Sequence, residues 1–200
     1  VKLSVDKDNP VLYSEGNCVI EKSSKTVVVG CKASVIPKDV LAIGEWAFSD
    51  VYGITELTLP EGLTRIEDCA FWDCGDLEKI DIPNTVKTIG SYAFARCKKL
   101  DGVSIPKAIE TIESNAFLEC ESIKEIKLPS TLKELGEHAF DGCVSIKEAV
   151  LPDGLKKLNW DVFANCTSLN SVTIPSSVTH IASHVFPNCP RLTKIIIDKD

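Results

Sequence analysis

Nine cysteines are the residues most able to carry out chemistry in this 200-residue chain. Thiolates act as nucleophiles and metal ligands, and paired thiols form disulfides, so all three uses have to be weighed. A metal site requires ligands that converge on one point, whereas most of these cysteines recur at a fixed interval of 23 residues. We therefore predict a buried column of small, free thiols. The column consists of Cys74, Cys97, Cys120, Cys143, Cys166 and Cys189.

The other three cysteines lie outside this column. Because the total is odd, at least one thiol is free or paired outside the chain. Cys18 and Cys31 flank a predicted β-hairpin and are the best candidates for a disulfide, although the sequence leaves their bonding open. Cys69 falls in a column that holds polar residues in other repeats, so we expect it to be partly exposed and reactive.

The histidines offer little support for a metal site. His180 and His184 have a spacing that could hold a metal ion on one continuous helix, and His138 is two repeats away. The repeat assigns His180 to a turn and His184 to a short helix, which disfavours a shared site. The sequence contains no nucleophile-elbow, phosphate-loop, dinucleotide or zinc-protease motif. We expect no enzyme activity, no metal and no cofactor.

A 23-residue repeat positions these side chains. Several apolar features recur in phase, which composition alone does not produce. Ile-Pro or Leu-Pro pairs end at Pro37, Pro60, Pro83, Pro106, Pro129, Pro152 and Pro175. Ala-Phe or Val-Phe pairs end at Phe48, Phe71, Phe94, Phe117, Phe140, Phe163 and Phe186.

Each repeat is predicted to form one coil of a solenoid. One of them reads Leu77-x-x-Ile80-x-Ile82-Pro83-x-x-Val86-x-x-Ile89-Gly90-x-x-Ala93-Phe94-x-x-Cys97. The alternation before Pro83 predicts a short strand that the proline ends, and the spacing after Ile89 predicts a short helix or 3₁₀ segment. Gly90 favours a tight bend between them. Stacked coils would bury their apolar faces together, giving an α/β solenoid with one parallel sheet.

This pattern resembles leucine-rich repeats, whose strand segment reads L-x-x-L-x-L. Within that class it is similar to the BspA-like bacterial surface proteins, with their I-P and I-G-x-x-A-F-x-x-C-x-x-L signature, over about residues 33–197. The resemblance implies a right-handed coil with the sheet on its concave face and short helical or 3₁₀ segments opposite. It also implies an extracellular or cell-surface location and a role in adhesion.

Two regions are expected. Residues 33–200 form an array of about seven coils, which we interpret as part of a longer protein. Residues 1–32 break the pattern: Asn17–Glu21 and Thr26–Gly30 flank Lys22–Lys25 as a β-hairpin. This region is either a variant coil within a longer array, which we favour, or a dedicated N-terminal cap.

Charge and hydropathy narrow the set of partners. The net charge of −7 disfavours nucleic acid and anionic membranes, because both require a basic surface. No apolar run approaches the roughly 20 residues that a membrane span needs. We therefore expect a monomer without membrane insertion whose partner is a protein or a glycan.

Recognition is expected on the concave sheet face, at positions that flank the inward apolar residues. The candidates are Glu56, Thr58, Lys79, Asp81, Ser104, Glu125, Lys127, Glu148, Ser171 and Thr173. This set lacks the Trp, Tyr and Arg that dominate protein hot spots. Aromatic residues interrupt other columns and are interpreted as packing between the edges of coils: Trp46, Tyr52, Trp72, Tyr92 and Trp160. Besides adhesion, two alternatives stay open: a structural spacer rod, and an accessory domain of a secreted enzyme.

Overall fold

The computed structural model describes residues 1–198; residues 199–200, which the predicted array includes, lie outside the described residues. Seventeen strands occur in the described part and are numbered along the chain. They are β1 (Leu12–Glu15), β2 (Cys18–Glu21), β3 (Thr26–Val29), β4 (Ala42–Ile43), β5 (Glu56–Thr58), β6 (Arg65–Ile66), β7 (Lys79–Asp81), β8 (Thr88–Ile89), β9 (Gly102–Ser104), β10 (Thr111–Ile112), β11 (Ile126–Lys127), β12 (Glu134–Leu135), β13 (Glu148–Val150), β14 (Lys157–Leu158), β15 (Ser171–Ile174), β16 (His180–Ile181) and β17 (Lys194–Ile197).

The coils from β5 to β16 contribute two strands each, whereas the first coil contributes only β4 and the last described segment only β17; these strands form two separate walls. The strand wall contains the odd-numbered strands from β5 to β17, which pair in parallel as β5-β7-β9 and β11-β13-β15-β17. The short-strand wall contains the even-numbered strands from β4 to β16, which pair in parallel as β4-β6-β8-β10-β12 and β14-β16. The prediction of a single parallel sheet was therefore wrong. The segment read as a turn after each Pro contains a second, two-residue strand.

The third side of each coil, which we call the turn wall, consists of stacked turns around the Ala-Phe pairs. Short helices were predicted here, and the described residues contain none. In one coil Tyr92 and Arg96 have φ of 56° and 63°, so left-handed residues interrupt any helix at every fourth position. Alternate amides point to the next coil, as in Phe94 N–H to Ala116 O at 2.8 Å. The amides between them close turns within the coil.

This finding explains a column of mixed residues that the sequence left without a cause. Residues at the first left-handed position of each turn have φ between 54° and 60°: Trp46, Cys69, Tyr92, Asn115, His138, Asp161 and His184. Asn, Asp and His tolerate this conformation better than most residues, because their short polar side chains bond locally. The column is thus selected for backbone conformation rather than for solvent exposure.

The N-terminal hairpin continues the short-strand wall. β2 pairs antiparallel with β3, with Lys22–Lys25 between them, at the place where the sequence predicts a hairpin. An additional strand, β1, pairs antiparallel with β2, and β3 pairs in parallel with β4. The first regular coil therefore lies on a sheet that residues 12–29 supply.

Stacked phenylalanines occupy the centre of the solenoid. Seven rings from Phe48 to Phe186 stack with centroids 5.2 to 6.0 Å apart and interplanar angles of 5° to 18°. Each such contact contributes about 0.5–1.5 kcal/mol beyond the burial of apolar area. The ring column runs the length of the array and sets a common axis for the three walls.

Glycines allow the coils to approach closely at the end of the short strands. A Cβ on Gly136 would lie 2.5 Å from the carbonyl carbon of Glu113 and 2.7 Å from Ser114 Cα. Gly90 occupies the same position two coils earlier and meets the backbone of Glu67 and Asp68 in the same way. Gly90 was expected to favour a tight bend. The structure instead requires glycine because another backbone passes beside it.

Candidate binding surface

The candidate recognition residues all lie on the strand wall, at the positions that alternate with the buried side chains. Eight of the ten are exposed and two, Ser171 and Thr173, are half-buried. The exposed residues are Glu56, Thr58, Lys79, Asp81, Ser104, Glu125, Lys127 and Glu148. The wall thus presents a row of polar side chains that spans several coils. Its role in binding stays a prediction.

Charges on this wall pair with one another. Lys79 Nζ lies 3.1 Å from Asp81 Oδ2 and 3.6 Å from Glu56 Oε1. Hydrogen bonding to Asp81 is the largest cause that raises the pKa of Lys79. Lys127 Nζ lies 3.7 Å from Glu125 Oε2. These pairs are exposed and contribute little to folding, so a partner could exchange them for its own charges at small cost.

The strand wall has a discontinuity that the sequence did not predict. β9 and β11 do not pair, so the wall divides between the third and fourth strands. Val103 and Ile126, which point inward beside this gap, are only half-buried, whereas Ile80 and Val172 in the same kind of position are fully buried. Gly102, which has no side chain to pack on its neighbours, is the one sequence signal near the gap.

A depression lies on the strand wall over β11 and β13. It has a volume of about 740 Å³, and its apolar side chains are Ile126, Leu128 and Val150. Val150 is 61% exposed, although it stands in a column that holds polar residues in most coils. Polar residues complete the lining: Lys124, Glu125, Lys127, Lys147, Glu148 and Asn170. The depression therefore combines an exposed apolar floor with three lysines and two glutamates.

The six phased cysteines form the predicted column, and each thiol has a hydrogen-bond acceptor. Every Sγ donates to the carbonyl of the Phe that lies 26 residues earlier, at 3.0 to 3.3 Å. Burial raises the pKa of Cys74 to about 12 and raises that of Cys120 well above its ordinary value. Such thiols are poor nucleophiles. Cys189 is the exception to the predicted burial, because it lies half-buried on the last coil.

Of the remaining cysteines, Cys69 differs from its prediction. Cys69 was expected to be partly exposed and reactive, but it is buried, and desolvation raises its pKa. Cys18 and Cys31, whose bonding the sequence left open, are both free and buried. Cys31 Sγ instead accepts a hydrogen bond from Asn17 Nδ2 at 2.9 Å.

The histidines do not converge. His180 lies in β16 and His184 at a left-handed turn position with φ 59°, so the two share no helix. His138 contacts two carboxylates, Asp141 at 3.0 Å and Asp161 at 3.6 Å. Among residues 1–198, no cluster of three metal-binding side chains is present. Over the same residues there is also no helix that could cross a membrane.

Comparison with known proteins extends these observations. The profile of the BspA type leucine-rich repeat region matches in six copies, over residues 29–147 and 88–200. No curated protein matches the sequence significantly.

Several solved structures share the fold. A leucine-rich repeat protein from T. pallidum is 29% identical, with a TM-score of 0.69, over 71% of this chain and 69% of that one. A leucine-rich cell surface protein from Faecalibacterium prausnitzii is 30% identical, with a TM-score of 0.63, over 82% of this chain and 53% of that one. One from Eubacterium ventriosum reaches a TM-score of 0.77 at 23% identity, over all of this chain and 54% of that one. The chain thus spans about half the length of the last two.

Proposed function

Because the chain belongs to the BspA-type leucine-rich-repeat family, we propose that it is an extracellular binding module of a bacterial surface protein. It contacts a protein or glycan, on a host or a neighbouring cell, through its strand wall. The similarity to a cell surface protein of F. prausnitzii supports the location. The observation that carries the binding role is the exposed polar row beside the 740 Å³ depression with its apolar floor.

The depression supplies an apolar centre for an interface, which the polar row lacks. Specific interfaces have an apolar centre that is fully desolvated and a polar rim. Val150 and Ile126 would form that centre, and the surrounding lysines and glutamates would form the rim. A ligand that covers this area therefore gains hydrophobic burial as well as hydrogen bonds.

We also propose that these residues have no catalytic activity of their own. The reason is that the groups able to act as nucleophiles have structural partners. The phased thiols donate to carbonyls and have raised pKa values, and Cys69 is buried. An accessory role beside a catalytic domain is compatible with this proposal.

The test is a binding screen against protein and glycan arrays, followed by variants of the strand wall. We expect at least one ligand whose binding is weakened by about tenfold or more when K79E, D81K, E125K and K127E are combined, as several rim charges change sign. V150D should weaken it further because it places a charge on the apolar floor. The matched control combines E110K, K133E, E134K and K157E, which changes the same number of charges outside the strand wall. Equal binding by the strand-wall variant and the wild type would refute the assignment.

A structural spacer is the second candidate, and one observation favours it. Lys79 and Lys127 are already paired within the wall, so the row presents little free charge for recognition. A spacer requires stiffness alone, which the continuous phenylalanine column supplies. If the arrays yield no ligand for the wild type at micromolar protein concentration, the spacer is the better account.

A further inference from the structure

A second surface of the molecule carries exposed aromatic side chains. On the turn wall, Trp46 and Tyr52 are 51% and 57% exposed, and Trp72 is half-buried beside them. Trp46 and Trp72 come from consecutive coils and pack edge-to-face, with centroids 6.0 Å apart. The expectation that these rings pack between coil edges therefore holds for Trp72 but leaves the other two rings largely uncovered.

We define the aromatic patch as Trp46, Tyr52 and Trp72, together with Arg96, which lies over Trp72. The Arg96 guanidinium carbon is 5.5 Å from the centre of the Trp72 ring, within the range of a cation–π interaction. A cation of this chain thus already occupies one ring of the patch. The faces of Trp46 and Tyr52 that remain exposed can accept another cation in the same way.

Three carboxylates surround the patch. Glu45 accepts a hydrogen bond from the Trp46 indole at 3.0 Å, and Asp73 accepts one from the Tyr52 hydroxyl at 3.2 Å. The third, Asp50, is bonded through its amide to the Trp72 carbonyl. Within residues 1–198, none of these carboxylates forms an ion pair with a lysine or arginine within 4.0 Å.

The direction of the pKa shift of Tyr52 agrees with the presence of carboxylates around the patch. The negative charge of Asp73 is the largest cause that raises the pKa of the Tyr52 hydroxyl, and Asp50 contributes in the same direction. Arg96 opposes both. At the Tyr52 hydroxyl the carboxylates thus outweigh Arg96.

We propose that the aromatic patch is a docking surface for a basic segment of a partner protein, whose Lys or Arg side chains lie over Trp46 and Tyr52 and pair with Glu45, Asp50 and Asp73. Charge complementarity selects this occupant, because the exposed ring faces and the unpaired carboxylates both attract cations. The net charge of −7 would also speed the encounter with such a segment. This surface lies on a different wall from the one in the proposed function and does not depend on it.

The experiment measures fluorescence anisotropy of a fluorescein-labelled hexa-arginine peptide titrated with the whole chain. We expect saturable binding that weakens by about tenfold or more when ionic strength rises from about 0.05 to 0.5 M, since salt screens exposed charges. Labelled hexaglutamate should not bind. Substitutions taken from other repeats preserve the local backbone: W46N copies Asn115, and Y52T copies Thr167. Each should weaken binding by about two- to fivefold, as expected for one exposed cation–π contact.

Two matched controls make the result specific. W160S removes an equally exposed tryptophan, 56% accessible, that has no aromatic neighbour within the described residues, and it should leave binding within twofold. The triple variant E45Q/D50N/D73N should weaken binding by about tenfold or more. The control triple E134Q/E137Q/D153N makes the same change in net charge elsewhere.

Three outcomes would overturn the proposal. The first is an equal loss in the two triple variants, which would indicate attraction to net charge alone. The second is unchanged binding in both W46N and Y52T. The third is a patch that binds a neutral hexasaccharide of N-acetylglucosamine but not the basic peptide, measured by tryptophan fluorescence in the W160S background. Failure of the strand-wall variants would affect none of these readouts.

Discussion

The close approach of coils at Gly136 allows a stability prediction with a matched control. In the G136A variant, the new Cβ would meet Ser114 N and would lie 2.5 Å from the Glu113 carbonyl carbon and 2.7 Å from Ser114 Cα. Ordinary contacts begin near 3.4 Å, so the two coils would have to separate by about 0.9 Å at this point. Backbone atoms cannot move aside as a flexible side chain can, so the strain is not easily relieved.

That separation also breaks a hydrogen bond. Gly136 N–H donates to Ile112 O at 2.8 Å, and a shift of this size would take the pair beyond hydrogen-bond distance. Overpacking costs about 1–3 kcal/mol, and the lost bond adds about 0.5–1.5 kcal/mol. We therefore expect G136A to lower the free energy of unfolding by about 2–4 kcal/mol.

Urea unfolding followed by far-ultraviolet circular dichroism measures this change. The control is G62A, because a Cβ on Gly62 would find its nearest neighbour, Lys38 O, at 4.0 Å. This variant should be unchanged or gain about 0.4–1 kcal/mol from the reduced entropy of the unfolded chain. An unfolding midpoint for G136A that equals that of the wild type would refute the argument that backbone contact spaces the coils.

Three further predictions concern the thiols and an ion pair. Ellman's reagent at pH 8 should label Cys189 first and reach Cys97, Cys120 and Cys143 only on unfolding, since burial raises the pKa of all three; rapid native labelling of Cys120 would contradict this. The C120A variant should lose about 1–3 kcal/mol of stability in urea, because the Phe94 carbonyl loses a donor and a small cavity forms. Hydrogen bonds from Lys133 and Lys87 lower the pKa of Glu110 below its ordinary 4.5. The stability this provides is present above that value and is lost as pH falls through the lowered pKa, so E110Q should flatten the dependence of the unfolding midpoint between about pH 5 and pH 3.

The repeat period predicted most of the features that depend on burial in phase. The phenylalanine column, the cysteine column and the strands that precede the Ile-Pro or Leu-Pro pairs from Leu59-Pro60 onward follow from apolar residues that recur in register. Such features are local to one coil and repeat without change, so a single sequence is enough to find them. The N-terminal hairpin could be predicted for a similar reason, because two apolar runs flank a polar turn.

The turn wall was predicted as short helices because helical and turn conformations can give the same spacing of buried residues in the sequence. The spacing of Ala93, Phe94 and Cys97 fits one face of a helix, and it fits equally well three side chains that point inward from successive turns. Asn115 and Asp161 are residue types that favour left-handed positions. Trp46 and Tyr92 do not favour them, so the column as a whole did not indicate this conformation. For the same reason Cys69 was predicted to be partly exposed although it is buried.

The depression on the strand wall had no comparable signal. It lies over β11 and β13, and its shape depends on how neighbouring coils pack against one another rather than on either coil alone. The identity of the partner is even harder to predict from the sequence, because a mixed row of charges fits many ligands.

The hydrogen bonds between coils give each interface a direction. On the turn wall, Phe71 N–H donates forward to Ala93 O at 2.8 Å, while on the short-strand wall Glu67 N–H donates backward to Ile43 O at 3.0 Å. On the turn wall a coil therefore offers donors on one side and acceptors on the other. Such a unit can be replaced, duplicated or removed only as a whole and only in the same orientation. Recombination in steps of one repeat would keep this direction along the turn wall, whereas an inverted coil would bring donors against donors.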